Sequence, residues 1–476
     1  MSVSRRNLIG MGATTVALTG CGRFIQRVGS DPLPAQLTAP TGKVSREVRL
    51  LDRAGFGPRP GDVEDVLKRG IEAWVTDQLQ PSDQEPPALS LQLSRLEATR
   101  MDGMELRDLP EDEVLRQLAQ AQILRQIYSP WQVRERMVDL WTNHFNVYGR
   151  KGLAAWRKVN DDVQVIRKHA LGNFPELLRA NAHSAAMLAY LDNRQNLRGA
   201  PNENYARELM ELHSLGVDGG YTQKDVQEVA RCFTGWTVED RFLHHGGAFR
   251  FNPEVHDDGE KTVLGVRIPA GGGQSDGDRV LDIITKHPSC ARFISMKLCR
   301  AFLGDANSPM VDRLIKIFGD TGGEIKPMLK ELFLSQEFLE GAPIAKRPLD
   351  YVVSAMRASH ANTDARIPIQ QWLTKMGQPL FEWPMPDGYP DRASSWTGSM
   401  LARWNFAHAL CNGGLPDSEV PFEQWEKRAE GRSMAKLFAD SILVGRDRDR
   451  YLAACDGKST QAALALALST PEFQWR

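Results

Sequence analysis

The chain is organised around Asn202-Glu203-Asn204-Tyr205-Ala206-Arg207-Glu208-Leu209-Met210-Glu211-Leu212-His213, which runs on through Gly216-Val217-Asp218-Gly219-Gly220-Tyr221 to Thr234-Gly235-Trp236. At 100° per residue, a helix over the first part carries a polar side opposite an apolar side. The polar side holds Asn204, Arg207, Glu208, Glu211 and Ser214. Gly216 predicts the end of this helix, and Thr222 with Asp225 predicts a capping box for the next one. The sequence therefore predicts two helices that meet at a glycine corner.

The polar side of the first helix has two interpretations. Arg207 can pair with Glu211 and Asn204 can bond to Glu208, and each such pair stabilises an exposed helix by only about 0.2–0.5 kcal/mol. Alternatively, Glu208 and Glu211 lie on adjacent turns and present two carboxylates to a metal or a polar substrate. The second interpretation requires partner residues from elsewhere in the chain.

The first residues predict export. Arg5 and Arg6 form a twin-arginine pattern, and the apolar stretch that follows them is too short to span a bilayer. Leu18-Thr19-Gly20-Cys21 has the form of a lipobox, in which the cysteine is lipidated and becomes the first residue of the mature chain. Gly22, rather than aspartate, follows Cys21 and indicates transfer to the outer membrane. We therefore expect a periplasmic protein anchored to the membrane through lipid on Cys21.

The rest of the chain divides where the sequence pattern changes. Prolines and glycines before residue 45 predict a flexible tether, and short runs after Trp236 predict β-hairpins. Helical patterns fill the remainder, so the predicted fold is mainly α, a multi-helix globular array with a small β-hairpin insertion. The predicted regions are the signal with the lipobox (1–21), the tether (22–44), an N-terminal helical region with the polar helix (45–236), the hairpin insertion (237–275), a middle helical region (276–345) and a C-terminal helical region with a proline and aromatic loop (346–476).

Composition excludes several functional classes. A formal net charge of −1 offers no basic field for nucleic acid, and 42% hydrophobic residues suffice for a sizeable core. Beyond Cys21 the remaining cysteines form no C-x-x-C pair, which predicts free buried thiols rather than a disulfide framework. The nucleophile elbow G-x-S-x-G, the P-loop and the zinc motif H-E-x-x-H are absent. None of these catalytic motifs is therefore available to identify a reaction.

Two histidines outside the polar helix are candidate site residues. His144 falls on the apolar side of a helix. It is either a core histidine with one backbone bond or a ligand that reaches a buried site beneath the glycine corner. His256 and Asp257 lie in a loop beside the hairpins. They are either ligands or an acid–base pair, or they are solvated residues at a hairpin turn.

Several multi-residue motifs follow one another in a characteristic order. They are Leu50 to Pro60, Trp141 to Phe145, Asn202 to Trp236, His256-Asp257 with Lys261 and Leu264-Gly265, His287-Pro288 with Ala291-Arg292-Phe293 and Lys297-Leu298, and Gly377 to Phe381. In this order they resemble the bacterial family known as domain of unknown function 1800, from about residue 46 to the end. Asp387-Gly388-Tyr389-Pro390-Asp391 departs from the family pattern, in which a Gly-Trp-Pro-Gly type of turn is expected. The resemblance implies an exported protein, often encoded beside a sulfatase-like or phosphatase-like partner, and it implies no established activity.

The sequence leads to one principal expectation about function. We expect metal-assisted hydrolysis, or a related reaction, on an envelope or extracellular substrate. The predicted ligands of a divalent metal are Glu208, Glu211, His144 and His256. The predicted catalytic residues are His256 and Asp257, as acid and base, and Arg207, which would bind an anionic group.

The alternative is a non-catalytic protein, tethered by lipid, that binds or assembles with a sulfatase-like partner. A buried cluster in which Glu208 and His256 converge would favour the enzyme. A self-paired polar helix beside an exposed aromatic patch of Phe381, Trp383 and Trp396 would favour the binding protein.

Overall fold

The computed structural model describes residues 44–101, 103, 105–239, 247–443 and 448–476. The predicted signal with Cys21 and residues 22–43 of the predicted tether lie outside the described residues. Ser45 caps the first helix, because its Oγ accepts a hydrogen bond from the Val48 amide at 3.3 Å. None of the helices within these ranges is long and apolar enough to cross a membrane.

Helices dominate the structure, which confirms the mainly α prediction. In the described ranges the α-helices are α1 (Arg46–Ala54), α2 (Asp62–Arg69), α3 (Ile71–Gln78), α4 (Pro87–Leu93), α5 (Glu111–Tyr128), α6 (Gln132–His144), α7 (Ala154–Asn160), α8 (Phe174–Ala182), α9 (Ala185–Tyr190), α10 (Glu203–Glu208), α11 (Gln223–Cys232), α12 (Ser275–Lys286), α13 (Pro288–Leu303), α14 (Met310–Thr321), α15 (Ile325–Leu334), α16 (Gln336–Glu340), α17 (Pro348–Ala358), α18 (Ile367–Lys375), α19 (Met400–Cys411), α20 (Phe422–Ala429), α21 (Met434–Ser441), α22 (Asp449–Ala454) and α23 (Thr460–Ser469). Two of them continue as π-helices, α7 into Asp161–Arg167 and α10 into Leu209–Ser214.

The strands form three small antiparallel pairs. β1 (Trp236–Glu239) pairs with β2 (Ala248–Phe251), and β3 (Lys261–Val263) pairs with β4 (Val266–Ile268). The hairpins expected after Trp236 are therefore present. A third pair, β5 (Asn362–Thr363) with β6 (Ser418–Glu419), lies in the C-terminal part of the chain.

The first hydrophobic core contains side chains from residues 50–79 and 133–339. Trp141 and Trp236 are fully buried in it, so the helices on both sides of the hairpin insertion pack together. Cys232, Cys290 and Cys299 lie in this core as free thiols, as predicted. Burial of this apolar surface is the main stabilising contribution to the region.

The second hydrophobic core contains side chains from residues 89–96, 121–127 and 349–473, together with Phe56. Trp425 and Tyr351 are fully buried in it, and Cys411 and Cys455 are again free and buried. A smaller cluster, mainly from residues 98–119, packs around the first half of α5. The early helix α5 therefore packs with the C-terminal helices.

A buried ionic network joins α6 of the first core to α17 of the second. Arg136 on α6 donates to Asp350 on α17, and Arg347 donates to Asp139. The Arg476 guanidinium lies 3.8 Å from the same Asp350 carboxylate. Since all five charges are buried, each depends on its partners for the stabilisation that water would otherwise provide.

Candidate active site

The polar helix differs from the prediction in its second half. α10 passes at Leu209 into π-helical turns, and the Leu215 amide donates to the Met210 carbonyl oxygen, five residues back, at 2.9 Å. The wider turn changes the direction of the residues that follow. Ser214 is consequently buried, and its hydroxyl donates to the Leu209 carbonyl oxygen. The prediction that Ser214 lies on the polar side was wrong.

The polar side chains do not pair with each other as expected. Arg207 bonds to Glu203 and to Gln223, each at 2.9 Å, instead of to Glu211. Asn204 donates to the Leu191 carbonyl oxygen instead of to Glu208. Within the described part of the chain, Glu208 and Glu211 have no hydrogen bond or ion pair from their side chains, although both are half-buried. Arg207 is thus occupied, whereas the two carboxylates remain available.

Glu208 retains its proton to a higher pH than an ordinary glutamate. Burial is the largest cause of its raised pKa, and the negative charges of Glu211 and Asp387 add to it, against the opposing charge of Arg207. A half-buried carboxyl group with a raised pKa is suited to donate a proton.

A cavity of about 510 Å³ lies between elements of the first core and the proline and aromatic loop. Its wall includes Asn143 and His144 from α6, Glu211 from the π-helical turns, Lys297 from α13 and Tyr389 from the loop. Two residues predicted as metal ligands, His144 and Glu211, therefore meet here, and Glu208 lies one turn before Glu211.

One side of α13 forms a wall of this cavity. Phe293, Met296, Lys297 and Arg300 recur at spacings of three and four residues, so they lie on one stripe of the helix. In the described part of the chain, neither the Lys297 amine nor the Arg300 guanidinium has a hydrogen bond or an ion pair. Two of the cations that line the cavity are therefore on α13, and Arg207, which was expected to bind an anionic group, does not line it.

The opposite wall is the loop 383–392. Asn143 on α6 and Asn146, which follows α6, hold this loop in place. Asn143 exchanges two hydrogen bonds with the backbone of Tyr389, at 2.7 and 3.0 Å. Asn146 donates to the carbonyl oxygens of Trp383 and Met385 at 2.9 and 2.6 Å. The loop that departs from the family pattern is thus a structural part of the cavity. The rings of Trp383 and Tyr389 contact each other in a tilted arrangement, with centroids 4.9 Å apart.

Two buried histidines lie behind the cavity wall. His144 Nε2 lies 3.1 Å from the His213 carbonyl oxygen, and the two rings are 6.0 Å apart. Nδ1 of His144 and both ring nitrogens of His213 have no hydrogen-bond partner. Burial, and then the charge of Lys297, lower the pKa of both residues, that of His213 to about 3. Both rings are therefore neutral at physiological pH. His144 thus has the single backbone bond of a core histidine, and it also reaches the cavity.

His256 and Asp257 belong to a separate cluster. His256 is buried, with Nδ1 2.8 Å from the Thr234 carbonyl oxygen and Nε2 3.3 Å from Asp276 Oδ2. The Asp276 carboxylate also accepts from Lys261 at 2.5 Å. Asp257 is paired with Arg231 at 2.7 and 3.1 Å, and this pairing lowers the pKa of Asp257. Both predicted loop residues thus stabilise the hairpin region.

The predicted metal ligands do not form one coordination set. Among the described residues, no group of three or more His, Cys, Asp or Glu side chains is placed to hold a metal ion. His256 instead bonds to Thr234 and Asp276. The aromatic patch proposed for a binding protein does not form either, because Phe381 and Trp396 are buried. The arrangement that the structure shows is a third one, centred on Glu211 and Lys297.

The model of the family described as protein of unknown function DUF1800 matches residues 49–475. This range is nearly the whole chain. The chain belongs to the DUF1800 family. This confirms the resemblance drawn from the motifs. No curated protein and no solved structure matched the chain.

Sequence reasoning missed the cationic side of this DUF1800 cavity. The sequence identified Lys297 only as part of a family motif, and it assigned no role to Arg300 or His213. The stripe of Phe293, Met296, Lys297 and Arg300 was readable at helical spacing. The same spacing is typical of an ordinary helix surface, so only the packing of α13 against the π-helical turns shows that the stripe faces a cavity.

Proposed function

We propose that the cavity is the active site of an enzyme that cleaves an envelope or extracellular substrate by acid–base chemistry. Glu208, with its raised pKa, supplies a proton, and Glu211, which lines the cavity, accepts one. The N-terminal sequence, which predicts export and a lipid on Cys21, supports the choice of substrate compartment.

One observation carries the proposal, namely that charges of both signs face the same cavity without pairing. Glu211, Lys297 and Arg300 line it, and their side chains make no hydrogen bond or ion pair within the described ranges. Buried charges elsewhere are paired, as in the network around Asp350 and at Lys261 with Asp276. Glu211 and Lys297 are half-buried and Arg300 is exposed, and the convergence of these unpaired groups in a concave site favours a role in substrate binding and catalysis.

The carboxylate pair acts here without the predicted ligand His256, because Thr234 and Asp276 occupy both nitrogens of that residue. This distinguishes the proposal from the metal-assisted mechanism that the sequence suggested. Elemental analysis of protein purified after native export tests the difference. Wild type and Glu208→Gln should have the same metal content. A stoichiometric metal lost in the variant would instead support metal-assisted chemistry at Glu208.

The activity test compares purified wild type with Glu211→Gln and Glu208→Gln on isolated cell envelopes and on anionic extracellular polysaccharides. Mass spectrometry of the released small molecules should show products with wild type and a loss of about 100-fold or more in either variant, the contribution typical of a positioned acid or base. Glu203→Gln is the matched control, because it lies on the same helix but pairs with Arg207 outside the cavity wall. Equal product release by wild type and by the Glu211→Gln and Glu208→Gln variants would refute the proposal.

A further inference from the structure

Lys297 is half-buried, and it differs in its contacts from the three fully buried lysines of the described residues. Lys158 and Lys261 each donate to an aspartate at 2.5 Å, and Lys346 donates to the Ser354 hydroxyl at 2.7 Å. Lys297, by contrast, has no hydrogen bond or ion pair to any described residue and lines the cavity. A lysine amine held in a cavity without a partner is available to react with a bound molecule.

The surroundings of Lys297 disfavour its protonated form. Burial is the largest cause of its lowered pKa, and the charges of Arg300 and Arg347 contribute, against the opposing effects of Asp391 and Asp387. Each unit by which a lysine pKa falls raises the fraction of neutral amine at neutral pH about tenfold. The neutral amine, with its free electron pair, is the nucleophilic form.

We propose that Lys297 is a catalytic nucleophile that forms an imine with a carbonyl group of the substrate in this cavity. The inference rests on the proposed function, since it assumes that the cavity is an active site, and it narrows the substrate to an aldehyde, a ketone or the open form of a reducing sugar. The residue that carries the amine lies on a sixteen-residue helix, α13, which fixes its position.

The imine step balances without an oxidant or a reductant. The Lys297 nitrogen attacks the carbonyl carbon, a C–N bond forms, and the carbonyl oxygen takes up a proton. The nitrogen of this adduct loses one proton to an acceptor such as the Glu211 carboxylate, and the hydroxyl group takes up a second proton. The nitrogen lone pair then forms the C=N bond as the C–O bond breaks and water leaves, and the iminium nitrogen loses its last proton to give the imine. Glu208 and Glu211 are the groups that supply and accept these protons. Hydrolysis of the imine by the reverse steps releases the carbonyl compound and restores the amine.

The rim of the cavity indicates a second feature of the substrate. Arg300 and Arg392 line it and make no ion pair in the described part of the chain, while Trp383 and Tyr389 offer aromatic surface. An arginine binds a carboxylate or a phosphate with two parallel hydrogen bonds. The expected substrate therefore has a carbonyl group, a ring or other flat surface, and an anionic group.

The test uses pyridoxal 5′-phosphate solely as a chemical probe, because it has an aldehyde, an aromatic ring and a phosphate. Full-length wild type is incubated with less than one equivalent of probe at neutral pH and then reduced with borohydride, which converts an imine into a stable secondary amine. Peptide mass spectrometry locates the label. Lys297 should carry more label than Lys316, whose side chain is 80% exposed and pairs with Asp320. Equal or lower labelling of Lys297 would overturn the proposal.

Two comparisons make the result specific. Pyridoxal, which lacks the phosphate, should label Lys297 less than the phosphorylated probe if Arg300 and Arg392 bind the anionic group. The visible absorption of the imine should be lost in Lys297→Met and Lys297→Arg but retained in Lys316→Met, and circular dichroism spectra of all variants check that they fold. Retention of the imine band in both Lys297 variants would also contradict the assignment.

The labelling experiment can fail independently of the proposed function, because it requires no turnover. Product release that depends on Glu211, together with no selective label on Lys297, would support the acid–base enzyme and contradict the imine step. Selective labelling in a protein that releases no product would establish the reactive amine and refute the cleavage of the polymers tested.

Discussion

At the scale of single residues, His213 is the most unusual side chain near the cavity. It is fully buried, and neither ring nitrogen has a hydrogen-bond partner. Loss of hydration without a replacement hydrogen bond costs roughly 1–3 kcal/mol. Such a residue is hard to explain by packing alone, since phenylalanine would fill a similar volume, and its position behind Glu211 and Lys297 links it to the site.

This burial predicts how stability depends on pH. The unfolded chain protonates His213 near the usual pKa of about 6.5, whereas folded His213 has a pKa lowered to about 3 by burial and by Lys297. Because the unfolded state binds more protons between these values, the stabilising contribution is present above about pH 6.5 and is lost as the pH falls. At pH 5 the loss should be about 2 kcal/mol. Urea denaturation at pH 7 and pH 5 measures this difference in unfolding free energy.

The matched variant isolates the contribution of His213. His213→Phe should lose less unfolding free energy between pH 7 and pH 5 than wild type, by the same amount of about 2 kcal/mol. His408→Asn, at an exposed position, should behave like wild type. Identical pH dependence in wild type and His213→Phe would show that the buried His213 ring does not cause the loss of unfolding free energy at pH 5.

The carboxylate pair gives a second prediction at this scale. The negative charge of Glu211 is one cause of the raised pKa of Glu208, so Glu211→Gln should lower the pKa of Glu208. Carbodiimide reacts with protonated carboxyl groups, and the pH at which Glu208 is half-labelled, measured by peptide mass spectrometry, should fall in the variant. Glu203→Gln should leave the pH of half-labelling of Glu208 unchanged. An unchanged value in Glu211→Gln would mean that the two carboxyl groups do not interact.

At the scale of elements, the loop 383–392 depends on a glycine. Gly388 has a φ of +76°, and a Cβ atom at this position would overlap the Asn143 carbonyl oxygen on α6. Only glycine combines this backbone conformation with such a close approach to another chain segment. The loop therefore lies against α6 because residue 388 has no side chain.

Replacement of this glycine should displace the loop. Gly388→Ala combines an unfavourable φ with a steric overlap, so it should lower the unfolding free energy more than Gly413→Ala, which has a φ of +71° but open space around it. The φ contribution alone is of the order of 1–2 kcal/mol, and the overlap should add about 1–3 kcal/mol. Urea denaturation of the two variants measures the difference. Equal destabilisation would mean that the loop accommodates the methyl group by a small shift.

At the scale of the whole molecule, the buried ionic network decides how the two cores are joined. Asp350 on α17 accepts from Arg136 on α6, and both residues are nearly inaccessible to solvent. Arg136 is the largest favourable influence that holds the pKa of Asp350 well below its usual value, and Arg347 and Arg476 add to it, although burial opposes them. The contact between the cores is therefore electrostatic as well as apolar.

Removal of one partner should weaken the whole protein. Asp350→Asn leaves buried arginines without their counter-charge, which typically costs about 3–5 kcal/mol. Glu337→Gln removes an exposed ion pair with Arg313 and should cost less than about 1 kcal/mol. Thermal and urea denaturation compare the two. Because a depressed carboxyl pKa stabilises the fold only while the group is ionised, the wild-type advantage over Asp350→Asn should shrink as the pH falls below about 4. A destabilisation below 1 kcal/mol in Asp350→Asn would show that the network contributes little.

Local features of this fold were predictable from local sequence. The Thr222 and Asp225 capping box forms as expected, and Gly216 ends the polar helix with a φ of +85°. These features depend on interactions among residues a few positions apart, so the sequence carries the information directly. The π-helical turns were not predictable, because the choice between a four-residue and a five-residue hydrogen bond depends on what packs against Leu209 and His213.

The sequence by itself determined the helices, the two hairpins and the family, and it predicted Glu208, Glu211 and His144 as candidate site residues. Only the tertiary structure decided which of the predicted residues meet. His256 and Asp257 have the chemistry of ligands, yet His256 bonds to Asp276 and Asp257 pairs with Arg231. Lys297 has an ordinary helical pattern around it, yet it lines the same cavity as Glu211. The physical reason is that a site is formed by residues far apart in the chain, whose approach is set by the packing of two cores and is not encoded in the spacing of any one segment.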